Sequence, residues 1–465
     1  MTHRSALDLT EGRPWKQILR FMLPMLLGNI AQQFYNTADS IIVGRYVGDT
    51  ALAAVGSAGP ILNLLIVLLV GISTGAGIVV SQYQGARRRE DIEGAVGNCL
   101  ILTGIATLLV MALSLVLIRP MLALMGTPDT LIDWCANYLR ILLLGCAGMA
   151  YYNILSGLLR GLGDSFSALI YLLIASGLNI GLDLYFVARL GMGIEGVAWA
   201  TIIAQAISAL LCLNKLSHME DYFHLELSSV QWNRKYVDRI VRLGIPSGLT
   251  QAILSMSSLM AQTLMNSFGE TLIATNVIIM RVDGFVILPA LSFGSALTTY
   301  AGQNIGGGRF DRVSDGLRQS CLMAAGVAAI VTALLLLFGR SVMGLFTRTE
   351  IILDTGIRLM RILAAGYIFF FITQCLCGTM AGAGQTMATM KVSVLATFGI
   401  RLPLAYLLVW LTKSPQHPQG MPEAMYVSQL CAWLFGTAYS YWLYRRMDRT
   451  KESIQSERYL KKEVV

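Results

Sequence analysis

Apolar stretches long enough to cross a lipid bilayer recur along the whole chain, separated by short polar or charged turns. Their spacing predicts twelve helices, over 15–44, 52–83, 93–118, 130–159, 165–188, 194–214, 236–268, 271–303, 312–338, 351–381, 386–411 and 423–444. Several exceed the roughly 20 residues that a span requires, so tilt or extension beyond the bilayer is expected. Pro24, Pro60, Pro246, Pro289 and Pro403 fall inside these helices. Membrane helices tolerate proline where neighbours satisfy the freed carbonyl, and each position is a candidate kink.

The charges between helices set the orientation. Arg87-Arg88-Arg89, Arg234-Lys235, Arg309, Arg312 and the tail from Arg445 all fall on the side that carries both termini. Short basic loops stay in the cytoplasm, so both termini are expected there. The chain also repeats itself. Gly48-Asp49-Thr50 matches Gly269-Glu270-Thr271 at an offset of 221, which also pairs Gln82 with Gln303, Arg119 with Arg340, Arg140 with Arg361 and Gly161 with Gly382. With six spans in each, the two halves insert in the same orientation. The expected division is an N-terminal six-helix bundle over 1–214, a cytoplasmic linker over 215–235, a C-terminal six-helix bundle over 236–446 and a cytoplasmic tail over 447–465.

Composition agrees with the pattern. Of the 465 residues 55% are hydrophobic and only 13% charged, with a mean hydropathy of +0.62. A soluble enzyme would need more charge to cover its surface, and a disordered chain would show the reverse balance. The net charge of +8 would suit nucleic acid on a soluble domain; here it belongs to cytoplasmic loops, and no nucleic-acid partner is expected. The cysteines are scattered through apolar segments without metal spacing and read as small core residues. The first apolar segment is too long for a cleavable signal and lacks a small-residue cleavage site, so it is expected to remain as a membrane helix.

Polar residues inside the spans carry the chemistry, because ionisable groups there are expensive. The first helix bears Asn29, Gln33, Asn36 and Ser40 on one face. At an offset of 222 the seventh bears Gln251, Ser255, Ser258 and Gln262. Such stripes line an aqueous cavity or bond to neighbouring helices; amides facing lipid would be costly, which favours the cavity. Asp39 lies beside the first stripe. Asn179 and Asp183 are four apart on the fifth helix, and Thr201 is on the next. The repeat positions of Asp39, Asn179 and Asp183 hold Ala261, Ile400 and Leu404, so the set belongs to the first half. Two carboxylates, an amide oxygen and a hydroxyl suit a hard cation such as Na+. The same carboxylates, close and desolvated, suit a shared proton equally. The bland alternative is a buried network that only holds helices together. In the second half, Asp283 and Arg401 are embedded charges that either pair structurally or face a cationic substrate. Met256, Met260, Met265 and Met280 read mainly as core or lipid-facing filler.

Other motifs fail on context. Gly71-Ile72-Ser73-Thr74-Gly75 matches a hydrolase elbow but lies within a membrane helix, and Gly191, Gly193 and Gly196 lack the strand–turn–helix setting of a dinucleotide fingerprint. There is no P-loop, and four histidines at 3, 218, 224 and 417 offer no embedded metal centre. Neither an enzyme nor a cofactor is expected.

The chain resembles the multidrug and toxic compound extrusion (MATE) family of antiporters. The resemblance rests on the two-half plan, Gly48-Asp49-Thr50-Ala51-Leu52-Ala53-Ala54-Val55-Gly56, Gln82-Tyr83-Gln84-Gly85-Ala86, Leu159-Arg160-Gly161-Leu162-Gly163-Asp164 and the Asn179, Asp183 and Thr201 set. It implies an all-α polytopic membrane protein whose twelve transmembrane helices form two pseudo-symmetric six-helix bundles in a V. It further implies export of small amphipathic or cationic compounds by alternating access, in exchange for H+ or Na+, by a monomer in the bacterial inner or sole cell membrane. In the DinF-like bacterial branch the coupling site lies in the first half, and Asp39, Asn179, Asp183 and Thr201 are similar to it position by position. Other branches place carboxylates in the seventh and tenth helices, whose interiors lack them here. The nearest rival is a flippase of the related exporter superfamily, moving a lipid or lipid-linked sugar.

Overall fold

The computed structural model describes residues 6–124, 127, 129–219, 223, 230–415 and 417–449. His3, His224 and the tail from 450 onward lie outside the described residues. Every named element among the described residues is helical: α1 Pro14–Tyr46, α2 Asp49–Gly85, α3 Arg89–Leu124, α4 Asp129–Leu144, α5 Cys146–Gly161, α6 Ser165–Asp183, α7 Gly193–Ser217, α8 Arg234–Asn266, α9 Glu270–Val286, α10 Leu288–Gly306, α11 Phe310–Gly344, α12 Glu350–Gly382, α13 Thr386–Val394, α14 Leu402–Leu411 and α15 Glu423–Arg449. The α6 helix runs on through a π-helical turn, Leu184–Arg189, and α13 reaches α14 through another, Leu395–Arg401. The chain is a multi-pass, all-α membrane protein. Eight spans are long and apolar enough to cross a bilayer, nine with α4 and α5 taken as one bent span.

Each of the twelve segments in the hydropathy pattern is helical, and three are divided. The span over 130–159 bends by 53° between α4 and α5. The break falls at Gly145, where a Cβ would overlap the Ile202 side chain on α7. The span over 271–303 breaks at Ile287, two residues before Pro289 in the first turn of α10, where the missing N–H costs nothing. The span over 386–411 loosens into the π-helical turn ahead of Pro403. Pro24 and Pro246, by contrast, lie within continuous helices. Helices α1, α8 and α15 fall below the apolarity of a simple span, since they carry the polar stripes and the terminal arginines.

The chain forms two compact units: residues 1–9 with 20–249, and residues 10–19 with 250–465. In the first, α2 meets the beginning of α8 backbone to backbone. A Cβ on Gly71 would fall 2.7 Å from the Gly244 carbonyl oxygen, so only glycine permits this approach. The connector into α8 is fastened to α3. Asn98 accepts from Asn233 N at 2.8 Å, and Asp91 accepts from Lys235 Nζ at 3.0 Å and the Tyr236 hydroxyl at 2.9 Å. Trp232 of that connector is exposed, and His218 Nδ1 lies 2.8 Å from the Asn214 carbonyl oxygen at the end of α7. In the second unit the matching loop holds the approach to α1. Arg309 donates to the Thr10 carbonyl at 2.8 Å and Arg312 to that of Gly12 at 2.9 Å.

Helix α6, which carries two of the expected site residues, begins with a side-chain cap. Asp164 accepts from the Ser167 backbone N–H at 2.9 Å and from its hydroxyl at 2.6 Å. Losing such a cap costs about 1 kcal/mol. Asp164→Ala is therefore expected to lower the melting midpoint of detergent-solubilised protein by a few degrees. Asp164→Asn should lose less, because its amide oxygen still accepts; equal losses would contradict the cap.

Candidate functional site

A cavity of about 600 Å³ opens within the first unit, walled by α1, α2, α4, α5, α6 and α7. Helix α1 contributes the most polar wall: Asn29, Gln32, Tyr35, Asn36, Asp39 and Ser40. These positions repeat at three and four residues and so form one helical face. The face is rotated slightly from the stripe expected on sequence. Asn29, Asn36 and Ser40 line the cavity, whereas Gln33 does not and its place is taken by Gln32. Ser40 donates to the Asn36 carbonyl at 2.9 Å, within its own helix.

At one end of the cavity the structure brings the four expected coupling residues together. Asp39 and Thr201 are on the wall; Asn179 and Asp183 lie behind it, 1% and 0% exposed. Asn179 Nδ2 donates to Thr201 Oγ1 at 3.3 Å, and Thr201 Oγ1 donates to the Val197 carbonyl at 3.0 Å. The Asp39 and Asp183 carboxyls are within hydrogen-bonding reach of one another. The Tyr35 phenol neighbours both Asp39 and Thr201, and Tyr138 lies within electrostatic range of the two carboxyls. The fold explains the arrangement. Asn179 and Asp183 share a face of α6 at i and i+4, Thr201 projects from the antiparallel α7, and Asp183 is the last residue before the π-helical turn.

What distinguishes this end is a surplus of acceptors. Asp39 Oδ1, Asn179 Oδ1, both carboxyl oxygens of Asp183 and Gln205 Oε1 are buried and accept no hydrogen bond. These are five of the nine buried side-chain N or O atoms without a partner among the described residues, which places the deficit here rather than across the fold. Gln205 is one turn beyond Thr201 on α7 and lines the same cavity. Buried acceptors without donors are costly unless a proton or a cation is shared among them. An oxygen-only set of this kind suits H+ or a hard cation as cargo.

Tyr35, Tyr138 and Gln205 did not stand out on sequence, although two carried a signal. Tyr35 precedes Asp39 by four residues, and Gln205 follows Thr201 by four. Nothing in the sequence placed Tyr138 there.

The second unit holds the other expected residues in a different pattern. Asp283 accepts from the Tyr367 hydroxyl at 2.8 Å, and Arg401 Nη1 donates to Ser257 Oγ at 2.7 Å. The two charges feel one another electrostatically, yet each is held by its own neutral neighbour. Gln251 and Ser258 are exposed and Ser255 is half-buried. Ser258 donates to the Leu254 carbonyl at 3.1 Å, and Gln262 accepts from Asn276 Nδ2 at 3.3 Å. The residues at 261, 400 and 404 are apolar, so the acceptor cluster has no copy at these positions.

A sequence model of the MatE family matches twice, over residues 24–185 and 246–407; both bounds are displaced by the offset of the internal repeat. The chain is 28% identical over 406 residues to the "Probable multidrug resistance protein YoeA" of Bacillus subtilis, covering 86% of this chain and 88% of that one. Among solved structures it is similar to a MATE protein in complex with MaL6, with a TM-score of 0.87 at 26% identity over 95% of this chain and 99% of that one. It is equally similar, with a TM-score of 0.87 at 25% identity over 96% of this chain and 100% of that one, to a MOP superfamily transporter from Pyrococcus furiosus. That structure is described as having a binding pocket of reverse polarity that "suggests different function".

The acceptor surplus makes a stability prediction independent of transport. Asp183→Asn replaces an unpartnered carboxyl with a group whose N–H can donate to Asp39. It should raise the melting midpoint of purified protein at neutral pH, by an amount equivalent to about 1–3 kcal/mol. A lower midpoint would contradict the geometry.

Proposed function

The chain belongs to the MatE family, and on that premise we propose that it is a secondary active exporter of organic cations or other amphipathic compounds, driven by H+ or Na+ entering in exchange. The observation that carries this reading is the cluster of unpartnered buried acceptors on Asp39, Asn179, Asp183 and Gln205. Relatives of nearly its full length are named multidrug resistance proteins, and its solved relatives are transporters, not enzymes.

In this account Asp39 is the exchange residue, because it alone of the two carboxyls faces the cavity. Asp183 lies behind it and raises the cost of leaving Asp39 charged and alone. Tyr35, itself a neighbour of Thr201, holds the Asp39 carboxyl toward the cavity. Asn179 supplies a further oxygen and is fixed by its bond to Thr201. When a proton or Na+ joins the cluster, its negative charge falls by one and a cationic compound is held less tightly. When the ion leaves, the cavity attracts such a compound again. The ion drives alternating access only through its different affinity for the two states, which is the thermodynamic requirement for coupling. In the same account the protein works as a monomer in the inner or sole membrane of a bacterial cell, with both termini in the cytoplasm.

A lipid or lipid-linked sugar flippase is the second reading. The Pyrococcus furiosus relative, whose reversed pocket polarity is described as suggesting a different function, supports considering it, since one fold hosts many functions. The acidic pair at the end of this cavity favours a cationic group over an anionic pyrophosphate.

The test is uptake of a fluorescent organic cation into proteoliposomes with separately imposed pH and Na+ gradients. Wild-type protein should move the dye uphill under one gradient. Asp39→Asn and Asp183→Asn should lose gradient-driven movement at least tenfold while eluting as folded protein. Full gradient-driven transport by both variants would reject the site.

A further inference from the structure

The cavity has a second charged end that the coupling chemistry does not use. Among the residues that line it only two are charged, Asp39 and Arg160. Arg160 is in the last turn of α5. Its electrostatic neighbours are Tyr152 and Cys212, neither of them acidic. The nearest carboxylate in sequence, Asp164, is turned to Ser167 as the cap of α6. Among the described residues no hydrogen bond or ion pair engages the Arg160 guanidinium. A planar fork of five N–H donors in a half-buried position is matched to carboxylate or phosphate oxygens and is costly when unmatched.

The internal repeat supplies a control for a purely structural role. The turn that follows Arg160 is built a second time after α12. Gly163 N donates to the Arg160 carbonyl at 2.9 Å, and Gly384 N to that of Ala381 at 2.8 Å. Asp164 N donates to the Leu159 carbonyl at 2.8 Å, and Gln385 N to that of Met380 at 2.8 Å. Gly163 and Gly384 share a left-handed conformation, with φ of 98° and 85°. The second copy makes the same turn with alanine where the first has arginine, so the turn does not require the side chain.

The two charges are well separated. Arg160 neighbours Cys212, and Asp39 neighbours Tyr35 against Thr201, both on α7. Eleven helical residues from Thr201 to Cys212 correspond to about 16 Å along that helix. Ser156 and Ser165 add hydroxyls at the arginine end.

We infer that Arg160, unpaired on the cavity wall far from Asp39, is an oxyanion subsite, and that the cavity takes elongated amphipathic compounds carrying a carboxylate, phosphate or sulfonate as well as a cationic end. This rests on the export reading of the same cavity and narrows its substrate class toward zwitterions.

The test is direct binding, without a gradient. Wild-type protein in nanodiscs is titrated by fluorescence anisotropy with a carboxy-rhodamine, a zwitterion, and with its methyl ester, a cation of nearly the same shape. Wild type should bind the acid about tenfold more tightly than the ester, the expected worth of one charge-assisted contact. Arg160→Gln should weaken the acid alone and erase the difference; Arg160→Lys should keep part of it. No preference in wild type, or equal weakening of both dyes in Arg160→Gln, overturns the subsite. Should Arg160→Gln fail to fold, the wild-type preference and the Lys variant decide. Displacement of the acid by a short-chain phosphatidylglycerol but not by an alkyl sulfonate would assign the oxyanion to a lipid headgroup; the reverse would assign it to a soluble compound. An Arg160-dependent preference without gradient-driven transport would reject the export reading and leave the subsite standing. Gradient-driven transport without the preference would do the opposite.

Discussion

Five buried acceptor oxygens with no donor, on Asp39, Asn179, Asp183 and Gln205, set the terms on which the first unit is built. Each such group costs about 1–3 kcal/mol, so together they approach the whole stability of an ordinary domain. The helices around them must hold that arrangement against a tendency to collapse or rehydrate. They do so by cheap, repeated means. A capping carboxylate starts α6, a glycine contact locks α2 to the start of α8, and the connector into α8 is fastened to Asp91 and Asn98. None of these features touches the cluster.

The internal repeat separates what the scaffold needs from what the site needs. The second unit reproduces the loop that holds a helix entrance, the turn after α12 and the glycines of the first. It does not reproduce the acceptors, whose places are taken by Ala261, Ile400 and Leu404. Its own charges have settled partners: Asp283 has Tyr367 and Arg401 has Ser257. A fold duplicated from one ancestor half has thus kept its frame in both copies. The unpartnered acceptors of this cluster lie in the first, and Asp283 and Arg401 of the second have fixed polar contacts.

The hydropathy pattern made the helices legible, because a bilayer demands apolar length regardless of detail. The breaks were less so. Gly145 looks like any membrane glycine until Ile202 is seen against it, and the π-helical turns leave no pattern at all. At the site, Asp39, Asn179, Asp183 and Thr201 were legible because carboxylates and amides are rare in lipid. Tyr35 and Tyr138 were hidden because aromatic residues are common filler there. Three of the four α1 stripe residues line the cavity and Gln32 stands in place of Gln33, since a four-residue polar pattern fixes a helical face only to within a residue. Arg160 was visible as part of a glycine-rich motif, but its lack of a partner is a property of three dimensions.

The central claim is that the first-unit carboxyls exchange the coupling ion. Infrared difference spectroscopy of the purified protein, recorded while protons or Na+ are added, observes those groups directly. The account predicts carboxyl bands in wild type that respond to one of the two ions and change or vanish in Asp39→Asn and in Asp183→Asn. An ion-induced spectrum identical in wild type and both variants would contradict it.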